Sequence, residues 1–230
     1  PASKAVMGPT PDLPLSSACQ VLSRSLPTGV IAPIPVSTTR PLTPVTLRRS
    51  RFDKIAGARE PPVPSSGSGD PDITLFEPRK SSDVNAFGDR KAVYAASDGL
   101  WPMYFAILDR PNHPMTLINS SMRVEGPAGG LSEPWYFLSI TREALERQPF
   151  RQGMLYFLER ATFEQQPPVQ LAGHTVHLPQ WASLEPAAPI AQNAVGPEDF
   201  PLLTALRGHD DATTCSRAAA DPDGFPWLDA

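Results

Sequence analysis

The sequence is short of most features that announce a function. It has no surplus of one charge: 20 Lys and Arg stand against 24 Asp and Glu, a net −4 with an isoelectric point of about 5.6. No basic face for a nucleic-acid backbone is implied. Long apolar runs are missing too; none approaches the ~20 residues of a membrane-spanning helix, so no membrane partner is expected. Cysteine is scarce, with Cys19 near one end and Cys215 near the other. Neither has a CxxC or metal-like neighbourhood. They allow one disulfide tying the two ends, but are too few to argue an oxidising compartment. The opening PASKAVMGPTP has one Lys and no apolar stretch, and does not read as a signal peptide. A soluble, cytoplasmic protein is favoured, with secretion as an effector the alternative.

The short catalytic signatures are absent as well. There is no GxSxG turn for a nucleophilic serine, and no GxGxxG or GxxxxGK[ST] loop to cradle phosphates. The glycines of SSGSGD (65–70) lack the Lys and the following helix of a phosphate loop, and read as linker. His174 and His177 are three apart on a strand-like stretch. Their imidazoles then point to opposite faces, and no further Cys or His cluster completes a ligand set, so no metal is expected. His113, in RPNHPM, reads as a solvent-facing turn residue, and His209 as the start of an exposed acidic run, HDD.

Proline is what the chain has in excess: 29 residues, where an average usage of about 5% gives roughly 12. LPTGVIAPIPVSTTRPLTP makes residues 1–45 an extended arm, because dense prolines forbid a helix and remove ladder donors. VTLRRSRF (45–52) is the first strand-like run, and EPPVPSSGSGDPD (60–72) reads as a loop or linker.

Beyond it the pattern tightens. ITLFEP (73–78), KAVYAAS (91–97), MTLINSSMRVEG (115–126), PWYFLSI (134–140) and the start of GMLYFLERATFEQ (153–165) read as strands. GHTVHLPQWASLEPAAPIAQNAV (173–195) reads as one or two more. Between them Asp98 can cap a helix whose Leu100, Met103, Tyr104, Ile107 and Leu108 form one apolar face. Short helices are expected at 141–148, capped by Thr141, and at 196–208. The expected class is therefore α+β, strand-rich with a few short helices. The expected organisation is an arm (1–45), one domain (46–210) and a C-terminal tail (211–230).

One stretch combines strand, polar corner and helix: FGDRKAVYAASDGLWPMYFAI, where Tyr94 lies in mid-strand and Ser97 at the strand's end. An aromatic beside a hydroxyl at such a corner suits a flat ring that is stacked and hydrogen-bonded. A core Tyr with a helix-capping Ser is the plainer account of the same residues. The stretch resembles the second motif of the ADP-ribosyltransferase-like superfamily, the clan of diphtheria-type toxins and poly(ADP-ribose) polymerases. LFEPR (75–79) followed by VYAASD (93–98) is similar to bacterial members of that clan. So are GMLYFLERATFE (153–164) and QWASLEPAAPIAQNAVGPEDFP (180–201), and the resemblance covers about residues 73–209.

The resemblance implies a split, strand-rich β-sandwich with a cleft for NAD. It implies Tyr94 as the ring that stacks on nicotinamide and Ser97 as the motif's serine. It also implies a late-strand acid that stabilises the cationic sugar as nicotinamide leaves, at Glu185 or with Gln180 in its place. Glu159 and Glu164 are poorer candidates, expected to face solvent. On the first strand Arg49 or Arg51 would take the ribose-holding place. The acceptor of ADP-ribose stays open. Two alternatives remain: a catalytically silent member of the same fold that binds a nucleotide or protein, and an interaction protein. The latter would use its proline-rich arm, RPLTP (40–44) included, to bind partners as polyproline II.

Overall fold

The computed structural model of the chain describes residues 64–81, 86–171 and 173–220. The arm, the strand expected at 45–52 with Arg49 and Arg51, and Cys19 lie outside them.

Among the described residues the strands form two open sheets. The first joins, in spatial order, β11 (Pro189–Val195), β6 (Gly153–Leu158), β1 (Ser65–Ser68), β3 (Lys91–Ala96), β10 (Gln180–Ser183) and β7 (Glu164–Gln165), with β2 (Arg79–Lys80) also on β3. All its pairings are antiparallel. The second runs β12 (Arg207–His209), β5 (Trp135–Thr141), β4 (Leu117–Val124), β9 (His174–His177) and β8 (Val169–Leu171), with β12 parallel to β5. Helices are few: α1 (Leu100–Ile107), α2 (Arg142–Glu146) and α3 (Asp211–Ala220). The fold is a strand-rich α+β arrangement of two sheets.

Helix α1 is the filling between the layers. The expected cap holds: the Trp101 N–H donates to Asp98 Oδ1 at 2.7 Å. The expected single apolar face understates the burial, since Trp101, Pro102, Met103, Tyr104, Ala106 and Ile107 are all buried. One side packs on the first sheet; the other joins Leu138 and Ile140 of β5 in a single core cluster. The Tyr104 hydroxyl reaches across to donate to the Ser139 carbonyl at 3.1 Å.

The stretch expected to be a linker is the strand β1, inside the first sheet between β6 and β3. The reason is steric. A Cβ on Gly67 would sit 1.8 Å from the Pro102 carbonyl oxygen, and one on Gly153 of β6 would sit 2.1 Å from that of Ala106. Helix α1 lies so close to these two strands that only glycine fits. The small, polar SSGS that allows this approach has the composition of a linker.

Other expectations need correcting. ITLFEP is not a strand; Phe76 makes a single bridge with Ala187, with bonds of 2.9 and 3.0 Å. The segment 173–195 holds three strands, β9, β10 and β11. The chain changes sheet between the first two through Leu178 and Pro179. In place of a helix over 196–208 there are two 3₁₀ turns, Pro197–Asp199 and Leu203–Ala205. Thr141 precedes α2 but its hydroxyl caps nothing there. It accepts instead from the Thr116 N–H at 2.9 Å. What was read as tail begins with α3, capped where the Thr213 N–H donates to Asp210 Oδ1 at 2.7 Å. Cys215, on α3, is disulfide-bonded. No helix among the described residues is long and apolar enough to cross a membrane.

Candidate functional site

The register of the first sheet gathers residues that are far apart in sequence. Ser65 of β1 and Gln180 of β10 both stand opposite Ala96 of β3. On the far side of β10, the register Trp181↔Gln165 sets Gln166 opposite Gln180, and the Gln166 N–H donates to the Gln180 carbonyl at 2.9 Å. Residues directly opposite on antiparallel strands share a face. Ser65, Ala96, Gln180 and Gln166 thus form one row across four strands. They face the layer between the sheets, because Ala96 belongs to the α1 core while Val93, Ala95 and Trp181 pack together on the other face.

The next row on the same face is Tyr94, Ala182 and Glu164. Ala96 and Ala182 are buried in the middle of these rows, Ala96 within the α1 core, with Tyr94, Gln180, Gln166 and Glu164 as their row neighbours. Arg90 closes one side: its Nη1 donates to Glu164 Oε2 at 3.0 Å, and its guanidinium lies 4.0 Å from the Phe87 ring centroid. Three polar atoms in this cluster are buried without a hydrogen-bond partner: Gln166 Oε1, Gln180 Oε1 and Arg90 Nη2. Buried polar groups are nearly always paired, so three orphans on one face mark this place out.

Of the residues expected to carry function, Tyr94 and Gln180 come together on this face, while Ser97, next after Ala96, falls by alternation on the face of Val93 and Ala95. Ser97 lies just past β3; its N–H donates to the Pro179 carbonyl at 2.8 Å, beside Gln180. The Tyr94 hydroxyl accepts from the Arg90 N–H at 2.8 Å and lies 3.0 Å from the Phe87 carbonyl oxygen, so it also pins the turn before β3. Glu185 is elsewhere. It is exposed in the turn after β10, and Ser183, two residues before it, stands opposite Val93, toward the other end of β3. Glu164 faces solvent as expected and pairs with Arg90 as well. Glu159 is exposed.

Sequence reasoning missed Gln166 and Arg90. Gln166 sits in FEQQPP, and nothing in a glutamine's sequence context announces burial. Arg90 lies within the family-like stretch FGDRKAVYAASD, and its place four residues before Tyr94 is the available signal.

Next to this cluster the two sheets are tied by a half-buried carboxyl. Ser121 of β4 donates to Asp98 Oδ2 at 2.7 Å, and Trp101 Nε1 donates to Asn119 Oδ1, also at 2.7 Å. Burial raises the Asp98 pKa above the ordinary carboxylate value, only partly opposed by the Trp101 and Ser121 hydrogen bonds. Tyr136 of β5, opposite Ser121, is pushed up by burial and then by the neighbouring Asp98.

His209, expected to be exposed, is buried, only 4% accessible. It belongs to β12, and Ser139 and Thr116 enclose it. With the Ser139 hydroxyl donating to the Arg207 carbonyl at 3.0 Å, that oxygen accepts from His209 Nδ1 at 2.7 Å. Nε2 lies 2.9 Å from Thr116 Oγ1, whose hydroxyl donates to Asp211 Oδ1, and 3.3 Å from that same carboxylate oxygen. Both ends of the ring are used, and Ser139 is wholly buried, so this is a fastening between β5 and β12 rather than a nucleophile with its base.

No group of three or more His, Cys, Asp or Glu placed to hold a metal ion occurs among the described residues. His174 is exposed, and His177 pairs with Glu125 at 3.3 Å. A shallow groove of about 300 Å³ lined by Ile73, Thr74, Ile190 and Gln192 lies at the β11 edge, across the sheet from the glutamine row. No protein-family model, curated protein or solved structure matches the chain.

Proposed function

We propose that the chain is an ADP-ribosyltransferase-like protein that binds NAD over the Tyr94–Gln180 face of the first sheet. The observation that carries this reading is Gln180. Its side chain is nine-tenths buried with its oxygen unfilled, and it stands beside Ser97 and one row from Tyr94. These are the residues at which the family-like motifs imply a nicotinamide nucleotide is held. The Tyr94 ring offers a stacking surface, and Arg90 an N–H without a partner to meet a phosphate oxygen.

In transfer or hydrolysis, the bond between the ribose C1′ and the nicotinamide nitrogen breaks and its electron pair leaves with neutral nicotinamide. Positive charge develops on the sugar. Water or an acceptor then adds at C1′ and loses a proton. A fixed carboxylate near C1′ lowers that barrier electrostatically, whereas a glutamine supplies a hydrogen bond without charge. A second reading, binding without turnover, is favoured by the glutamine at 180 and by the place of Glu185 beyond the other end of β10.

The test is calorimetric titration of NAD into the full chain, with an assay for released nicotinamide, on wild type, Tyr94→Ala and Glu185→Gln. Binding lost in Tyr94→Ala supports the site. Release that depends on Glu185 assigns the acid, and binding without release selects the silent form. No binding at millimolar NAD sinks both readings.

A further inference from the structure

The first sheet ends differently on its two sides. At one edge β7 is two residues long, carries Glu164 paired with Arg90, and is followed closely by Pro167 and Pro168. Such an edge is blunted against further pairing. At the other edge β11 is seven residues long, and PIAQNAV holds no charge. It has no strand partner on its outer side among the described residues. Ile190 to Ala194 are all exposed, Ile190 by 62%. The groove of about 300 Å³ runs along this edge, walled by Ile73 and Thr74. The Tyr156 hydroxyl fixes that wall, donating to the Asp70 carbonyl at 2.6 Å and accepting from the Ile73 N–H at 3.2 Å. An open, uncharged edge beside a held groove is a seat for one more strand.

We propose that the occupant is residues 45–52 of this chain, VTLRRSRF, laid antiparallel on β11 as a further strand of the first sheet. The entry point of the chain argues for it first. The Leu158 N–H donates to the Pro64 carbonyl at 2.8 Å, and Leu158 stands opposite Pro189. Pro64, Leu158 and Pro189 therefore form one row across β1, β6 and β11. A strand added beyond β11 lies three strand spacings from Pro64, about 14 Å. Residues 53–63 span roughly 36 Å when extended, enough to cover that distance. Direction argues for it next. β11 runs away from this row, whereas a segment ending at Phe52 and linked back to Pro64 by a short crossing runs toward it. The pairing is then antiparallel, like every other in the sheet.

Charge is the third argument. Arg48, Arg49 and Arg51 make the segment basic. Asp70 and Asp72, exposed on the turn that forms the groove wall, are in no ion pair among the described residues. A second copy of β11 would bring these carboxylates no counter-charge. The seat is independent of the NAD reading, because it lies across the sheet from Gln180 and Gln166. It takes Arg49 and Arg51 away from the ribose-holding place that the resemblance implies for them.

Hydrogen–deuterium exchange of the full chain, read by mass spectrometry at several protein concentrations, tests the proposal. In wild type the amides of 45–52, and those of 189–195 not bonded to β6, should exchange at least about tenfold more slowly than in unstructured peptides. Leu47→Pro and Ser50→Pro each remove a ladder donor, and should speed both sets about tenfold while β3 and β10 stay unchanged. Ile190→Asp, at an exposed position that leaves the core intact, should speed 45–52 in the same way. Exchange of 45–52 at the unstructured rate in wild type overturns the proposal. So does slow exchange there that Ile190→Asp leaves unaltered, since the segment then pairs elsewhere. Protection of β11 that rises with protein concentration and ignores the prolines makes the occupant a second copy, and also overturns it. If the prolines loosen the whole domain, Ile190→Asp alone decides.

Discussion

Ser121 on β4 donates its hydroxyl to Asp98 Oδ2 across 2.7 Å, and this bond joins the two sheets where α1 begins. The carboxyl that accepts it also caps the helix through Oδ1. One side chain therefore sets the start of α1 and the spacing of the layers around the candidate site. Burial raises its pKa, so ionising it costs the folded state. The sign follows from linkage. The stabilisation tied to this group is full below about pH 4, and is lost as pH rises through the raised folded value. Asp98→Asn keeps an oxygen for the Trp101 N–H and removes the charge. Urea melts should show Asp98→Asn gaining on wild type as pH rises from about 4 toward 7, with Asp98→Ala lower than both by about 1–2 kcal/mol. Parallel pH profiles for wild type and Asp98→Asn would show that this carboxyl does not titrate as argued.

His209 predicts the opposite slope. Burial pulls its pKa down, against the raising effect of Asp211, Asp210 and Glu143. The ring is neutral in the fold, and its contribution is full above about pH 6.5 and lost as pH falls through the lowered value. His209→Gln keeps hydrogen-bonding capacity and removes the titration. The stability difference between wild type and His209→Gln should be about 1–3 kcal/mol at pH 7.5 and shrink toward pH 5. A difference that stays constant would mean that His209 is not the group that titrates.

Gly67→Ala and Gly99→Ala make a matched pair. At Gly67 the new methyl would meet the Pro102 carbonyl at 1.8 Å, so α1 or β1 must move. A loss of about 3 kcal/mol or more is expected in a denaturant melt. At Gly99 the new methyl meets nothing within 4 Å, and the backbone there is right-handed helical. Gly99→Ala should be neutral or stabilising by up to about 1 kcal/mol. Equal effects at the two positions would contradict the close seat of the helix on the strand.

These positions also show what the chain revealed in one dimension. β3, β4 and β5 were legible because their branched and aromatic residues form compact runs, and α1 because Asp98 and Pro102 punctuate its start. β1 was hidden because the helix above it demands small residues, which carry no strand signal. His209 was hidden because its burial depends on Thr116 and Ser139, and no local pattern records a contact over that separation. The start of α3 was misread for a simpler reason. Asp210 in HDD is a cap, and an acidic residue before ATTCSRAAA could have been taken as one. At the candidate site, Tyr94, Ser97 and Gln180 came from motif resemblance. Gln166 could only come from the pairing of β7 with β10.

Tyr94 separates the structural part of the site from its ligand-facing part. Its hydroxyl holds the Arg90 N–H and lies against the Phe87 carbonyl, so it orders the turn that presents Arg90. It stands opposite Ala182 on β10, and its ring is the part that would stack on a ligand. Tyr94→Phe removes the hydroxyl and keeps the ring. It should cost about 1 kcal/mol in stability and leave NAD affinity within a few-fold of wild type. Tyr94→Ala should lose both the stability and the binding. Thermal melts and NAD titrations on the two variants decide the matter. If Tyr94→Phe binds as poorly as Tyr94→Ala, what counts at this position is the ordering of Arg90 by the hydroxyl, and the ring is packing.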